Sequence, residues 1–371
     1  MNIFLSQKFK VYGFLSMVFL VYVHGYNLQN TYLQPFTMVS ETMTFTTFTE
    51  YLLSNGLLRF RIPMLFIISG YLFALSDYKS YKERTLKRLK TLGLPYILWS
   101  LLALLFVFLL EFTPAKIAVE SSHLAWGVSK ENILLVSQYT WEDYLTRVLF
   151  MPIAFQLWFI RALLIFNIAY PPIKWCVQKY PIIWFIIVTL FWLVSFELPF
   201  ISGTGLLFFS LGVFLQKTNF DIETPREYLN PMIFGFIFVI SAFLKTYLAF
   251  KGYDLLGNMN GLLLNLLYKI TEISGLISIW YGGNALVKWL WNSKLFQFCS
   301  PFAFMIYVLH VPVLYFVVYA SDNYFINYQY HRIFTYLFIP LLVTLVSIAI
   351  GFILRKILPT IYGILTGGRG L

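Results

Sequence analysis

Charge is what this sequence has least of. Only 12% of its 371 residues are charged, two are cysteine, and 59% are hydrophobic, with 20% aromatic. A soluble domain carries about 25% charged residues and about 45–50% apolar ones. So little polar surface excludes an ordinary soluble enzyme, a disordered chain and a nucleic-acid module. Acidic residues are scarcer still, 16 against 27 Lys and Arg, for a net charge of +11. In a chain this apolar the excess reads as basic residues facing a cytoplasmic leaflet. The lone pair Cys176 and Cys299 implies reduced thiols and no disulfide framework. There is no phosphate-binding glycine loop, no metal-ligand spacing and no nucleophile elbow. No internal repeat is evident either, which weighs against a secondary transporter built from repeated halves.

What the sequence does have is long apolar runs. A bilayer core of about 30 Å needs roughly 20 apolar residues per helix. Ten segments approach this: about 10–28, 62–77, 91–111, 156–174, 181–198, 203–217, 231–250, 262–287, 296–320 and 333–354. The sixth is short, and the eighth carries Lys269 and Glu272. Orientation follows from Lys and Arg. Between the second and third runs, Lys79, Lys82, Arg84, Lys87, Arg88 and Lys90 face only Asp77 and Glu83. Placing that loop inside puts both termini inside and leaves two long segments outside, about 29–58 and 112–155. The first run ends in Tyr22-Val-His24-Gly-Tyr26 rather than at small residues, so it reads as a retained anchor. The expectation is an all-α membrane protein: one integral-membrane domain over 1–371, about ten transmembrane helices, both termini cytoplasmic, with a frayed tail at 359–371.

Ionisable groups inside spans are costly and are functional candidates by default. Here they are His24, Arg59, Arg61, Arg161, Lys245, Lys269, Glu272 and His310, most of them toward the outer half in this topology. Arg59 and Arg61 run against the positive-inside bias. They read either as a cationic pocket or as side chains snorkelling at the interface. Lys269 and Glu272, one turn apart, form either a site or an ion pair that fixes helix packing. Arg161 is an interfacial anchor or a site residue, Lys245 reads as a snorkelling anchor, and Glu111 reads as interfacial. A histidine can take and return a proton near neutral pH, which makes His24 a candidate base; His310, mid-span, must find a partner. The basic loop is either a lipid-facing stripe or a phosphate site. Helical spacing puts Arg84 and Arg88 on one face, with Lys87 and Lys90 beside them.

Five blocks share an order and spacing: Phe19-Leu-Val-Tyr-Val-His24; Arg59-Phe-Arg61-Ile-Pro63-Met-Leu-Phe66-Ile-Ile-Ser69-Gly70-Tyr71-Leu72; Leu94-Pro95-Tyr96-Ile-Leu-Trp99; Leu157-Trp158-Phe159; and Ile306-Tyr307-Val-Leu-His310. Together, over residues 10 to about 315, they resemble the acyltransferase 3 family of membrane acyltransferases. The resemblance implies a ten-helix bundle and acyl transfer from cytosolic acyl-CoA, usually acetyl-CoA, to a hydroxyl of an outward-facing glycan or lipid-linked sugar in the cell membrane. The family's essential histidine would be His24 and its arginine at the second span Arg59. The family's arginine eleven residues before that histidine is Gly13 here, and Lys10, one turn earlier, is the residue placed to supply the charge.

The expected site is therefore His24, Arg59 and Arg61 as catalytic groups. Trp158, Arg161, Lys269, Glu272 and His310 face substrate, and Lys10, Arg84, Lys87 and Arg88 take the donor's phosphates. Acyl-CoA enters as a substrate, with no permanently bound cofactor and no metal. The partners are the bilayer and the acceptor sugar, with no nucleic acid. Two other readings stay open: a transporter or flippase for glycans or anions, and an inactive relative that binds acyl-CoA without turnover.

Overall fold

The computed structural model describes residues 2–26, 34–129, 132–198 and 200–370. The 29–33 part of the first segment expected outside, 29–58, lies beyond these described residues. Among the described residues the chain is helical throughout, and the only β pairing is an isolated bridge between Glu197 and Ser202. Six stretches are long and apolar enough to cross a bilayer, or seven if Phe155–Ile168 and Tyr170–Lys179, bent by 66°, form one span. Ten were expected, and each of the ten runs does fall on helix. The counts differ because Pro181–Leu193 and Gly203–Lys217 have 13 and 15 residues, short of a full crossing. In addition, Glu227–Gly282 is one continuous helical stretch.

That stretch folds as two antiparallel helices. Pro231–Leu256 and Asn260–Gly282 are joined by three residues, and Gly257 turns the chain at a φ of +53°, which only glycine adopts without strain. Down the seam, Asn260 fills the space beside Gly252 and donates to the Leu248 carbonyl at 3.1 Å. Further along, Thr271 meets Ser241 at 3.0 Å, Ser278 meets Gly235, and Pro231 meets Gly282. Small residues at such a seam let the backbones approach. Gly70 and Gly212 do the same where Arg61–Leu75 crosses Gly203–Lys217. A Cβ at Gly70 would meet the Phe209 carbonyl oxygen at 2.1 Å, and one at Gly212 the Ile67 carbonyl oxygen at 2.1 Å.

The chain divides into two compact units. The first comprises residues 1–80 and 165–300. It holds the first helix (Ile3–His24), the Arg61–Leu75 helix and the hairpin. Asp77, beyond the Arg61–Leu75 helix, pairs with Lys174 and Lys217, each at 2.7 Å.

The second unit comprises residues 81–164 and 301–371. The described residues of its 112–155 segment are folded. Glu111 was expected at the interface but is buried, and it accepts the backbone N–H groups of Val136 and Ser137. Asp143 caps Trp141–Leu149 in a box with Thr140, and also accepts from the Val128 and Ser129 N–H groups at 2.7 and 2.8 Å. Nor does the 359–370 part of the expected frayed tail hang loose. Pro359–Thr366 is a helix with Tyr362 and Thr366 fully buried, Trp99 donates to the Leu365 carbonyl at 2.9 Å, and Arg355 donates to Gly370 at 2.9 Å. Apolar contact and satisfied carbonyls hold the tail, which a glycine-rich sequence alone does not advertise. Both cysteines are free thiols.

Candidate functional site

Arg61 opens the Arg61–Leu75 helix and is only 2% exposed. Among the described residues its guanidinium makes no hydrogen bond or ion pair, and its Nε is buried without a partner. A buried charge without partners is expensive, and an anion beside it would offset that cost. The charged and ionisable neighbours it senses are Arg59 and Tyr268.

Arg59 is fixed from the preceding π-helical turn, Leu52–Leu57. Its Nε donates to the Ser54 carbonyl at 3.0 Å and its Nη2 to the Asn55 side chain. The wide turn leaves those acceptors facing the arginine. Asn55 is used twice, because its backbone carbonyl accepts from Lys245, which also donates to the Pro35 carbonyl at 2.9 Å. Lys245 is therefore a fully buried group midway along its helix and not the snorkelling anchor expected from sequence. Its stem has no interface to reach. Its Nζ lies 5.2 Å from the Tyr268 ring and 5.8 Å from that of Tyr51.

Tyr268 joins the two halves of the cluster. On its other side the Lys269 ammonium lies 4.8 Å from its ring and 5.1 Å from that of Trp192. Glu272 accepts from the Tyr268 hydroxyl and, at 3.1 Å, from Trp192 Nε1. Of the two readings for Lys269 and Glu272, a site or a mutual ion pair, the ion pair does not form among the described residues. Neutral donors occupy the carboxylate, and the ammonium sits on ring faces, an arrangement favoured where water is scarce. Among the described residues the buried carboxylates of this unit are Glu50 and Glu272, against the buried cations Lys8, Arg61, Lys245 and Lys269, with half-buried Arg59 besides, so the buried charges are net positive.

His24 is the last residue of the first helix, closed by Gly25 N–H on Tyr22. Phe19, just over a turn before it, packs edge-on against Phe60 at 6.3 Å. Tyr26, two residues after it, lies within electrostatic reach of Tyr51. The histidine thus belongs to the end of the unit that holds Arg59 and Lys245. Lys10 does not: it is fourteen residues earlier, about 21 Å along a helix, exposed, with its Nζ 5.6 Å from the Trp291 ring. The buried cation of that end is Lys8, bonded to Asn284 at 2.8 Å and seated 4.5 Å from Trp280. A side chain begun at Gly13 would enter open space.

The remaining candidates fall in the second unit. Arg84 and Arg88 are half-buried on one face of Tyr81–Arg88, while Lys87 is exposed. Trp158 and Arg161 are half-buried on the first turn of Trp158–Ile168, with Arg161 near Tyr96. His310 is wholly buried and its Nδ1 lies 3.1 Å from the Ile306 carbonyl, just before the helix breaks at Val311. Gln156 bridges that break, donating to Val308 at 3.3 Å and Val311 at 3.1 Å and accepting from Tyr307 at 2.6 Å. This gives His310 a place in the packing of a helix break. Sequence reasoning did not single out Asn55, Tyr268, Trp192 or Gln156. None is charged, and only their spacing to a charged neighbour would have drawn attention to them.

A family model described as an acyltransferase domain, that of the acyltransferase 3 family, matches residues 8–356, nearly the whole chain and parts of both units. No curated protein and no solved structure matches. The chain belongs to the acyltransferase 3 family, and it is a multi-pass membrane protein.

Proposed function

From this family membership we propose that the chain is an O-acyltransferase that moves an acetyl group from cytosolic acetyl-CoA to a hydroxyl of an outward-facing glycan or lipid-linked sugar. The observation that carries the reading is the Arg61 guanidinium, buried and without an acceptor beside a second arginine whose orientation Asn55 fixes. Thioester attack needs such a group. As the acceptor oxygen bonds to the carbonyl carbon, negative charge grows on the carbonyl oxygen, and a preorganised donor there lowers the barrier. His24 takes the hydroxyl proton, the carbon–sulfur bond breaks, and the imidazolium returns the proton to the thiolate of CoA. Arg59 orients beside Arg61. Lys269 and Glu272, held in place by Tyr268 and Trp192, are the polar contacts to a sugar. On the donor side, Arg84, Lys87 and Arg88 take phosphates, and Trp158 and Arg161 contribute to substrate binding.

The test is membranes carrying His24→Ala, given labelled acetyl-CoA. Acetyl transfer to the acceptor should fall by about 10²–10⁴-fold while expression and insertion persist. A fully active variant would remove His24 from the mechanism. The net-positive buried cluster also suits a carrier of anionic glycans, but a carrier would leave labelled acetyl-CoA unconsumed in the same assay.

A further inference from the structure

The family match ends at residue 356, yet the chain beyond it is tightly built. Gly367, at a φ of +61°, lies so close to the Thr91 carbonyl that a Cβ would meet its oxygen at 2.3 Å, and Gly370 is as close to Pro301. Between them Arg369 is locked in place. Its Nη1 donates to the Thr91 and Thr366 carbonyls, both at 2.8 Å, and its guanidinium lies 4.8 Å from the Phe304 ring. Thr91 belongs to the π-helical turn Leu89–Gly93, which continues directly from the helix bearing Arg84 and Arg88. The tail therefore delivers a third guanidinium to the half-buried face where those two already lie one turn apart. Arg88 is an electrostatic neighbour of both Arg84 and Arg369. Burial first, and Arg88 second, push the Arg369 pKa down to about 10.

Like charges gathered on one face attract a multiply charged anion. The Arg369 fork is also only partly used: among the described residues its Nε and Nη2 make no hydrogen bond. A planar fork with a free edge suits two oxygens of one phosphate. We propose that Arg369, carried by a C-terminal hook outside the family-matched region, completes a three-arginine phosphate site with Arg84 and Arg88, and that this site takes the phosphate groups of the acyl-CoA donor. The identity of the ligand rests on the acyl-CoA reading above; the phosphate chemistry does not.

The experiment uses the full chain in phosphatidylcholine nanodiscs, titrated with coenzyme A, with pantetheine and with inorganic pyrophosphate. Arg369→Gln should weaken coenzyme A and pyrophosphate about tenfold and leave pantetheine unchanged. Coenzyme A affinity equal to that of the unaltered protein overturns the proposal. In the unaltered protein, coenzyme A should also slow tryptic cleavage after Arg369, read as intact mass; no protection overturns the proposal even if the variant fails to fold. A second set of discs containing phosphatidylglycerol separates the two sources of phosphate. If Arg369→Gln changes retention of that lipid but not coenzyme A binding, the site belongs to a headgroup and the donor assignment falls. If coenzyme A binds through Arg369 and no acetyl is transferred, the acyltransferase reading fails and the phosphate site stands. If transfer proceeds in Arg369→Gln with an unchanged KM for acetyl-CoA, the site fails and the reading stands.

Discussion

The buried cluster of the first unit and the basic face of the second hold their ionised side chains in opposite ways. In the first, Arg61, Lys245, Lys269 and Glu272 are all buried within helices whose other residues are mostly apolar, and ring faces and single backbone carbonyls surround them. In the second, Arg84 and Arg88 stand half-buried on a short polar helix, and Arg369 joins them from the tail. The same kind of charge does different work in these settings. Away from water a cation interacts strongly and keeps one geometry, which suits stabilising charge in a transition state. At a wet surface the field is screened within about 8 Å at physiological salt, which suits gathering a multiply charged ligand. Substitutions in the first unit should therefore act on turnover or folding, and those on the basic face should act on affinity and its salt dependence.

The largest effect that could break this contrast is at Arg61. Arg61→Ala should lower kcat for acetyl transfer by about 10²–10³-fold, the cost of removing one oxyanion donor, with little change in KM for acetyl-CoA. Arg61→Lys should not restore it, since an ammonium lacks the rigid fork. If initial rates instead showed a salt-dependent rise in KM with kcat intact, the buried guanidinium would be an affinity group like those of the second unit, and the contrast would fail.

Lys245 comes next. Lys245→Met keeps the unbranched stem, one atom shorter, but leaves the Pro35 and Asn55 carbonyls without their donor. The expected loss is about 2–3 kcal/mol of stability, read as a lower thermal unfolding midpoint of the purified protein in detergent. Because Asn55 also holds Arg59, acetyl transfer should fall with it. Unchanged stability would mean that Lys245 is dispensable to the fold and that relief of repulsion from Arg59 offsets the lost bonds.

The sequence exposed the helical character, the membrane setting and the family, because apolar runs and the Ser69-Gly70-Tyr71-Leu72 block are local. It drew attention to Arg59 and Arg61, because in the expected orientation arginines at that end violate the charge bias. It did not expose partners. Lys245 looked like an anchor because distance along a helix does not reveal that Asn55 and Pro35 lie across from it. Lys269 and Glu272 looked like a pair because they are one turn apart, whereas Tyr268 and Trp192 take the carboxylate. The tail looked frayed because glycines at positive φ and Arg369 acquire meaning only against Thr91 and Pro301. In each case the deciding contact is long-range, or lies between a charged group and a neutral one, which no spacing rule detects.

The smallest predicted effect sharpens the contrast from the side of a carboxylate. Asp143, in the folded 112–155 segment, is buried like Glu272 but is surrounded by donors that also order the segment. Burial works to raise its pKa, but the backbone and hydroxyl donors of Ser129 and Thr140 outweigh burial and hold the carboxyl well below the usual range. A carboxyl lowered in the folded state contributes stability that is present above its unfolded pKa of about 3.9 and is lost as pH falls through the folded value. Asp143→Asn removes that ionised acceptor together with the cap. It should cost about 1–2 kcal/mol at neutral pH, and progressively less as the medium is acidified below about pH 4. Limited proteolysis within residues 112–155 should report the loss, while kcat should stay near that of the unaltered protein. A variant equally protected at pH 7 would show that the donors around Asp143 follow the segment's fold and do not hold it.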